Sequence, residues 1–93
     1  MLILDKLKTL EAEIKERYKA KSIGVFGSIA RGDEKKSSDI DVLVEFKNNA
    51  DFLDLVGLEL FLEDHFARKV DVVSKRSIKG DTEKQILSEV AYV

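Results

Sequence analysis

Apolar side chains at Ile3, Leu7, Leu10 and Ile14, spaced alternately by four and three among Glu and Lys, predict an amphipathic helix over residues 2–18. One stripe of this kind serves to pack a helix on its own core. Residues 22–26 form a short β-rich run stopped by Gly27, a first strand. Gly27, Ser28, Ala30 and Gly32 then make a small-residue turn with a brief helical turn at 29–31, and residues 33–38, which carry no apolar side chain, read as an exposed loop. From Asp39 the pattern switches to alternation. Period-two geometry sends Asp39, Asp41, Leu43 and Glu45 to one face of a second strand and Ile40, Val42, Val44 and Phe46 to the other.

After a turn at residues 47–49, Asp51 is placed to cap a helix over 52–66. That helix carries Phe52, Leu53, Leu55, Val56, Leu58, Leu60, Phe61, Leu62 and Phe66, more apolar surface than one sheet face uses, and the surplus predicts a protein contact. Residues 69–74 are a third strand with one acid, Asp71, in an apolar run. A whole helix between the second and third strands is the length of a right-handed crossover, so the two strands are expected to be parallel neighbours. A last helix opens at residues 81–83 and carries Ile86, Leu87 and Val90. The pattern therefore predicts one α/β (α+β) domain over residues 1–93. Its order is helix, strand, short helix, strand, helix, strand, helix, with a small three-stranded mixed sheet and about four helices.

Composition narrows the chemistry. Lys plus Arg total 16 and Asp plus Glu 18, a formal charge of −2 that leaves no basic footprint for coating a nucleic acid backbone. No apolar segment is long enough for a signal peptide or a membrane span, and the expected location is cytoplasmic. The absence of cysteine excludes disulfides, thiolate zinc and a thiol nucleophile, and a single histidine, His65, excludes a multi-histidine metal site. His65 sits near the end of its helix, where a structural role at the carbonyl-rich terminus is expected. A metal in this chain must be held by oxygen, which suits magnesium or manganese.

The oxygen ligands are grouped. Asp39 and Asp41 point the same way from one strand, facing a turn that offers backbone N–H groups and the Ser28 hydroxyl to phosphate. Parallel pairing would bring Asp71 beside them, and a shared cation would remove the cost of an acid in a buried strand. Lys35 and Lys36, solvated if taken alone, become steering charges beside a phosphate site. No Walker sequence follows Gly27 to Gly32, and no Gly-x-Gly-x-x-Gly occurs.

The element order, with Gly-Ser, ten intervening residues and then Asp-x-Asp, resembles the minimal nucleotidyltransferase family of the polymerase-β-like nucleotidyltransferase superfamily. Gly27, Ser28, Ala30, Arg31, Gly32, Ser38, Asp39, Ile40 and Asp41 carry the resemblance, Asp71 matches the superfamily's third carboxylate, and the likeness spans essentially the whole chain. It implies ATP as substrate and two Mg²⁺ ions, or Mn²⁺, bridged by Asp39 and Asp41. Asp71 would complete the nucleophile-side metal or accept the proton of the attacking hydroxyl. Gly27 and Ser28 would contact the β- and γ-phosphates, with Ser38 in the same nucleotide-binding set. Arg31 would either bind phosphate or brace the turn on a carboxylate.

The resemblance further implies the antitoxin of a toxin–antitoxin pair that transfers AMP to a tyrosine of a HEPN-domain toxin, docked on an exposed apolar surface such as that of the 52–66 helix. The assemblies it allows are a homodimer or a hetero-oligomer with the toxin. Two alternatives stand beside it: an antitoxin that works by binding, with catalysis weak or absent, and nucleotide transfer to a small molecule.

Overall fold

Ile3, Leu7 and Ile14 are buried as the stripe predicts and fix α1 (Leu2–Arg17) against one face of a sheet. The computed structural model describes residues 2–33, 35 and 38–93. The chain continues through β1 (Ala20–Phe26), α2 (Gly27–Arg31), β2 (Ile40–Phe46), α3 (Phe52–Phe66), β3 (Val70–Ser74), a 3-10 turn at Lys75–Ser77, α4 (Gly80–Glu89) and β4 (Ala91–Tyr92). The loop expected over 33–38, with its steering charge at Lys36, lies in part outside the described residues. No helix among the described residues is long and apolar enough to cross a membrane.

The sheet order is β3-β2-β1-β4, with β2 and β3 parallel and both other pairs antiparallel. The expected three-stranded sheet is thus corrected to a mixed sheet of four. Residues 90–93 are too few to show a period, and pairing makes them a strand: Gly24 lies opposite Tyr92, Val25 opposite Ala91, and the Val93 N–H donates to Ile23 O at 3.1 Å. Gly24 permits the approach. A Cβ there would lie 2.7 Å from Val90 Cγ2 and 2.9 Å from the Ala91 carbonyl oxygen.

Both faces of the sheet are covered, unequally. Ile40, Val42, Val44 and Phe46 join Ile23 and Val25 beneath α1 and α3, with Leu58 and Leu62 fully buried among them. On the acid-bearing face a smaller cluster forms where Leu43 meets Ile78 and Ile86, flanked by Phe26, Val73 and Val90. The last helix therefore covers only the middle of that face.

α3 begins in the capping box its sequence encodes. The Asp54 N–H donates to Asp51 Oδ1 at 3.2 Å, and the Asp51 N–H donates to Asp54 Oδ2 at 3.0 Å. It runs antiparallel to α1, tied by Lys19 to Asp54 at one end and by the Lys6 ammonium to the His65 carbonyl at the other. The His65 ring packs 4.4 Å from that of Phe61, a contact with a ring of its own helix where a role at the terminal carbonyls was expected.

β3 lies at the sheet edge, where unpaired N–H groups invite another chain. Here α3 supplies the acceptors: Val70 N–H donates to Glu63 Oε2 and Val72 N–H to Glu59 Oε2, each at 3.1 Å. Removing either carboxylate, by Glu59→Ala or Glu63→Ala, is expected to lower stability by about 1–2 kcal/mol. Urea denaturation should show the loss. An unchanged midpoint in both variants would mean that water satisfies this edge equally well.

Candidate active site

The first strand delivers its glycine directly to the second strand's acid. Phe26 pairs with Asp41 in the antiparallel register, so Gly27, at the start of α2, sits against the Asp41 side chain. Gly27 has φ +74°, and a Cβ built on it would lie 2.3 Å from Asp41 Oδ2. Both the conformation and the contact require glycine. Buried Ile29 anchors α2, and the turn closes behind it, with Asp33 N–H donating to Ser28 O at 2.8 Å and Gly32 taking φ +79°.

The crossover through α3 delivers the third carboxylate. In the parallel register Asp41 lies directly opposite Asp71, and Ile40 opposite Val70. Adjacent strands are about 4.8 Å apart, so these two side chains share a face and a neighbourhood. Asp39 immediately precedes β2, where Ile40 N–H donates to Lys69 O at 3.0 Å to open the ladder. Its carboxylate lies 3.9 Å from Lys69 Nζ.

Burial holds the Asp41 carboxyl above the ordinary carboxylate range, the charges of Asp71 and then Asp39 push it further, and Arg31 pulls it back. The charges of the other two acids thus bear on Asp41, and hard oxygen donors of this kind are what Mg²⁺ or Mn²⁺ takes. As placed, no three acid or imidazole side chains among the described residues close into a coordination shell. The donor set and the charges bearing on Asp41 fit a divalent cation.

Arg31 and Ser38 have visible partners. Arg31 Nε donates to Asp33 Oδ2 at 3.2 Å, and its NH1 donates to both carboxylate oxygens of Glu89 on α4 at 3.2 Å. The hydrogen bonds to Asp33 and Glu89 raise the guanidinium's pKa. The bracing role is thus realised in this structure. The Ser38 hydroxyl accepts the Lys35 N–H at 2.8 Å, and its carbonyl accepts from Arg68 NH2. Lys69, Arg68 and Glu89 were not singled out by the sequence, since each reaches the site region only through folding.

The surplus apolar side chains of α3 are exposed as predicted: Phe52 at 73%, Leu53 at 76% and Leu60 at 62%. They belong to the layer on the opposite face of the sheet from Asp41 and Asp71, so a protein seated there does not thereby bring a hydroxyl to the carboxylates. A cleft of about 320 Å³ lined by Lys21, Glu45, Lys75 and Arg76 also lies away from them, toward the far ends of β2 and β3.

A glycine-serine turn that ends one strand and faces acids on two parallel neighbours is the arrangement of an α/β enzyme that handles phosphates. The chain belongs to the nucleotidyltransferase domain family, whose model matches residues 7–93, and is a nucleotidyltransferase. It is 39% identical, over 100% of its length and 98% of the relative's, to the protein adenylyltransferase MntA of Thermococcus cleftensis. Its fold matches a solved candidate minimal nucleotidyltransferase at 34% identity and TM-score 0.79, covering 95% of this chain and 93% of that one. It also matches a chain from the complex of tri-AMPylated Shewanella oneidensis HEPN toxin with MNT antitoxin, with TM-score 0.68, 96% of this chain and 70% of that one; at 20% identity this is a likeness of fold.

Proposed function

We propose that the chain is a protein adenylyltransferase that transfers AMP from ATP to a tyrosine hydroxyl of a HEPN-domain toxin, and so acts as its antitoxin in the cytoplasm. The observation that carries the reading is the register: Asp71 directly opposite Asp41, with Gly27 packed on the Asp41 carboxylate. The named relative, a protein adenylyltransferase matched end to end, supports the reaction, and the AMPylated toxin complex of similar fold supports the partner.

In this reading Asp39 and Asp41 would hold two Mg²⁺ or Mn²⁺ ions, with Asp71 a ligand of the ion on the acceptor side. Such ions supply Lewis-acid stabilisation of the attacking and leaving oxygens of an in-line displacement. The acceptor oxygen forms a bond to the α-phosphorus, and the bond from that phosphorus to the bridging oxygen breaks to release pyrophosphate. The hydroxyl proton passes to Asp71 or to water. Gly27 lets the backbone approach the β- and γ-phosphates without a Cβ between, and Ser28 offers them a hydroxyl donor. Ser38 holds the loop ahead of Asp39 in place. Residues 1–93 act as one domain. The acceptor comes over the open strand ends, while the exposed face of α3 serves the assembly with the partner.

Incubation with labelled ATP, Mg²⁺ and a HEPN-domain toxin as acceptor should put AMP on that protein. Asp39→Asn should abolish the labelling. Labelling that persists in the Asp39→Asn protein would sink the assigned site, and protection from the toxin without labelling by the wild type would favour neutralisation by binding alone.

A further inference from the structure

Glu89 closes α4, remote in sequence from the catalytic motif, yet it accepts Arg31 NH1 through both carboxylate oxygens at 3.2 Å. Its side chain is only 18% exposed, against 45% for Arg31. The contact joins two short elements, each otherwise anchored by one buried side chain, Ile29 on α2 and Ile86 on α4. α2 is five residues long and ends in left-handed Gly32, and α4 covers only the middle of the acid-bearing face. The two residues after Glu89 are themselves pinned, because Val90 packs over Gly24 and Ala91 pairs with Val25. The carboxylate is thus held on a braced segment, a fixed acceptor for a guanidinium whose other acceptor among the described residues is Asp33, an exposed neighbour two residues away.

The position of that guanidinium matters to the site. Arg31 ends α2, about one helical turn after Gly27, whose backbone lies against the Asp41 carboxylate, so the cation is carried on the element that borders the ground where the phosphates of ATP are read to bind. Rotation of the Arg31 side chain would take the charge away from that ground, and the ion pair with Glu89 opposes such rotation. Among the described residues the guanidinium bonds through NH1 and Nε, and NH2 is the third arm of its fork.

We infer that Glu89 is a positioning residue of the nucleotide site: it holds Arg31 beside the Gly27–Ser28 turn so that the guanidinium can meet the triphosphate of ATP. This rests on the adenylyltransferase reading above. A cation that contacts the triphosphate equally in the ground and transition states affects KM and leaves kcat nearly unchanged. Glu89→Gln is therefore expected to raise KM for ATP about five-fold, the effect of one modest ionic contact, with kcat within about two-fold of wild type.

The exchange Arg31→Glu with Glu89→Arg separates positioning from bracing. It keeps an ion pair between α2 and α4 and moves the cation off α2. Thermal melting is expected to return toward the wild-type value while KM for ATP stays raised. Recovery of KM together with melting would show that the pair merely braces the fold, and an unchanged KM in Glu89→Gln would also overturn the inference. If Glu89→Gln melts below the assay temperature, the exchanged protein carries the same comparison. Wild-type transfer of AMP is the control. Its failure counts against the adenylyltransferase reading, whereas normal wild-type transfer with an insensitive KM counts against Glu89 alone.

Discussion

Replacing Asp41 by Asn is expected to lower AMP transfer by about a thousand-fold or more, the scale set by loss of several kcal/mol of metal-assisted stabilisation, while raising the melting temperature of the cation-free protein at neutral pH. The two effects have one cause. Burial and the charges of Asp71 and Asp39 hold the Asp41 carboxyl above its ordinary value of 3.8. Between that value and the higher native one, the folded state keeps a proton that the unfolded chain has released. Stability therefore falls as pH rises through this window, and the favourable neutral form is fully present only below it. Once ionised above this window Asp41 is a disfavoured group, and Asn removes that penalty together with the chemistry.

Melting curves from pH 3 to 7 should show the wild type losing ground to Asp41→Asn as pH rises. Added Mg²⁺ should stabilise the wild type more than the variant. Equal response of both proteins to Mg²⁺ would argue that Asp41 holds no cation.

Gly27→Ala is the second large effect. The added Cβ would fall 2.3 Å from Asp41 Oδ2 on a backbone at φ +74°, so it strains the turn and displaces the carboxylate together. A cost of about 2 kcal/mol or more in stability is expected, with activity reduced about a hundred-fold through misplacement of Asp41. Gly32 supplies the comparison, since its φ is +79° but a Cβ there would meet nothing within 4 Å. Gly32→Ala should cost about 1 kcal/mol from backbone strain alone and lower activity far less. If the two alanines reduce transfer equally, the contact with Asp41 is not what the glycine protects.

The elements most legible from sequence are those whose periods are long and whose ends are marked. α3 was read to its observed ends because Asp51 marks a cap and the apolar run stops at Phe66. β2 was legible because its alternation separates Asp41 from Ile40 and Val42, the same separation that divides site from core. The parallel pairing of β2 and β3 followed from the length between them. β4 was not legible: two residues carry no period, and only the open edge of β1 with a glycine at position 24 makes them a strand.

The sequence by itself determined the nucleotidyltransferase motif and the face of β2 that carries Asp41, because spacing along a strand is a local property of the chain. The tertiary structure decided what depends on the pairing of distant segments. The register sets Asp71 against Asp41, close packing places Gly27 on a carboxylate, and the return of α4 lets Glu89 take hold of Arg31. It also put the exposed leucines of α3 behind the sheet, since a helix shows in its sequence that it has a surplus face but not which way that face will turn.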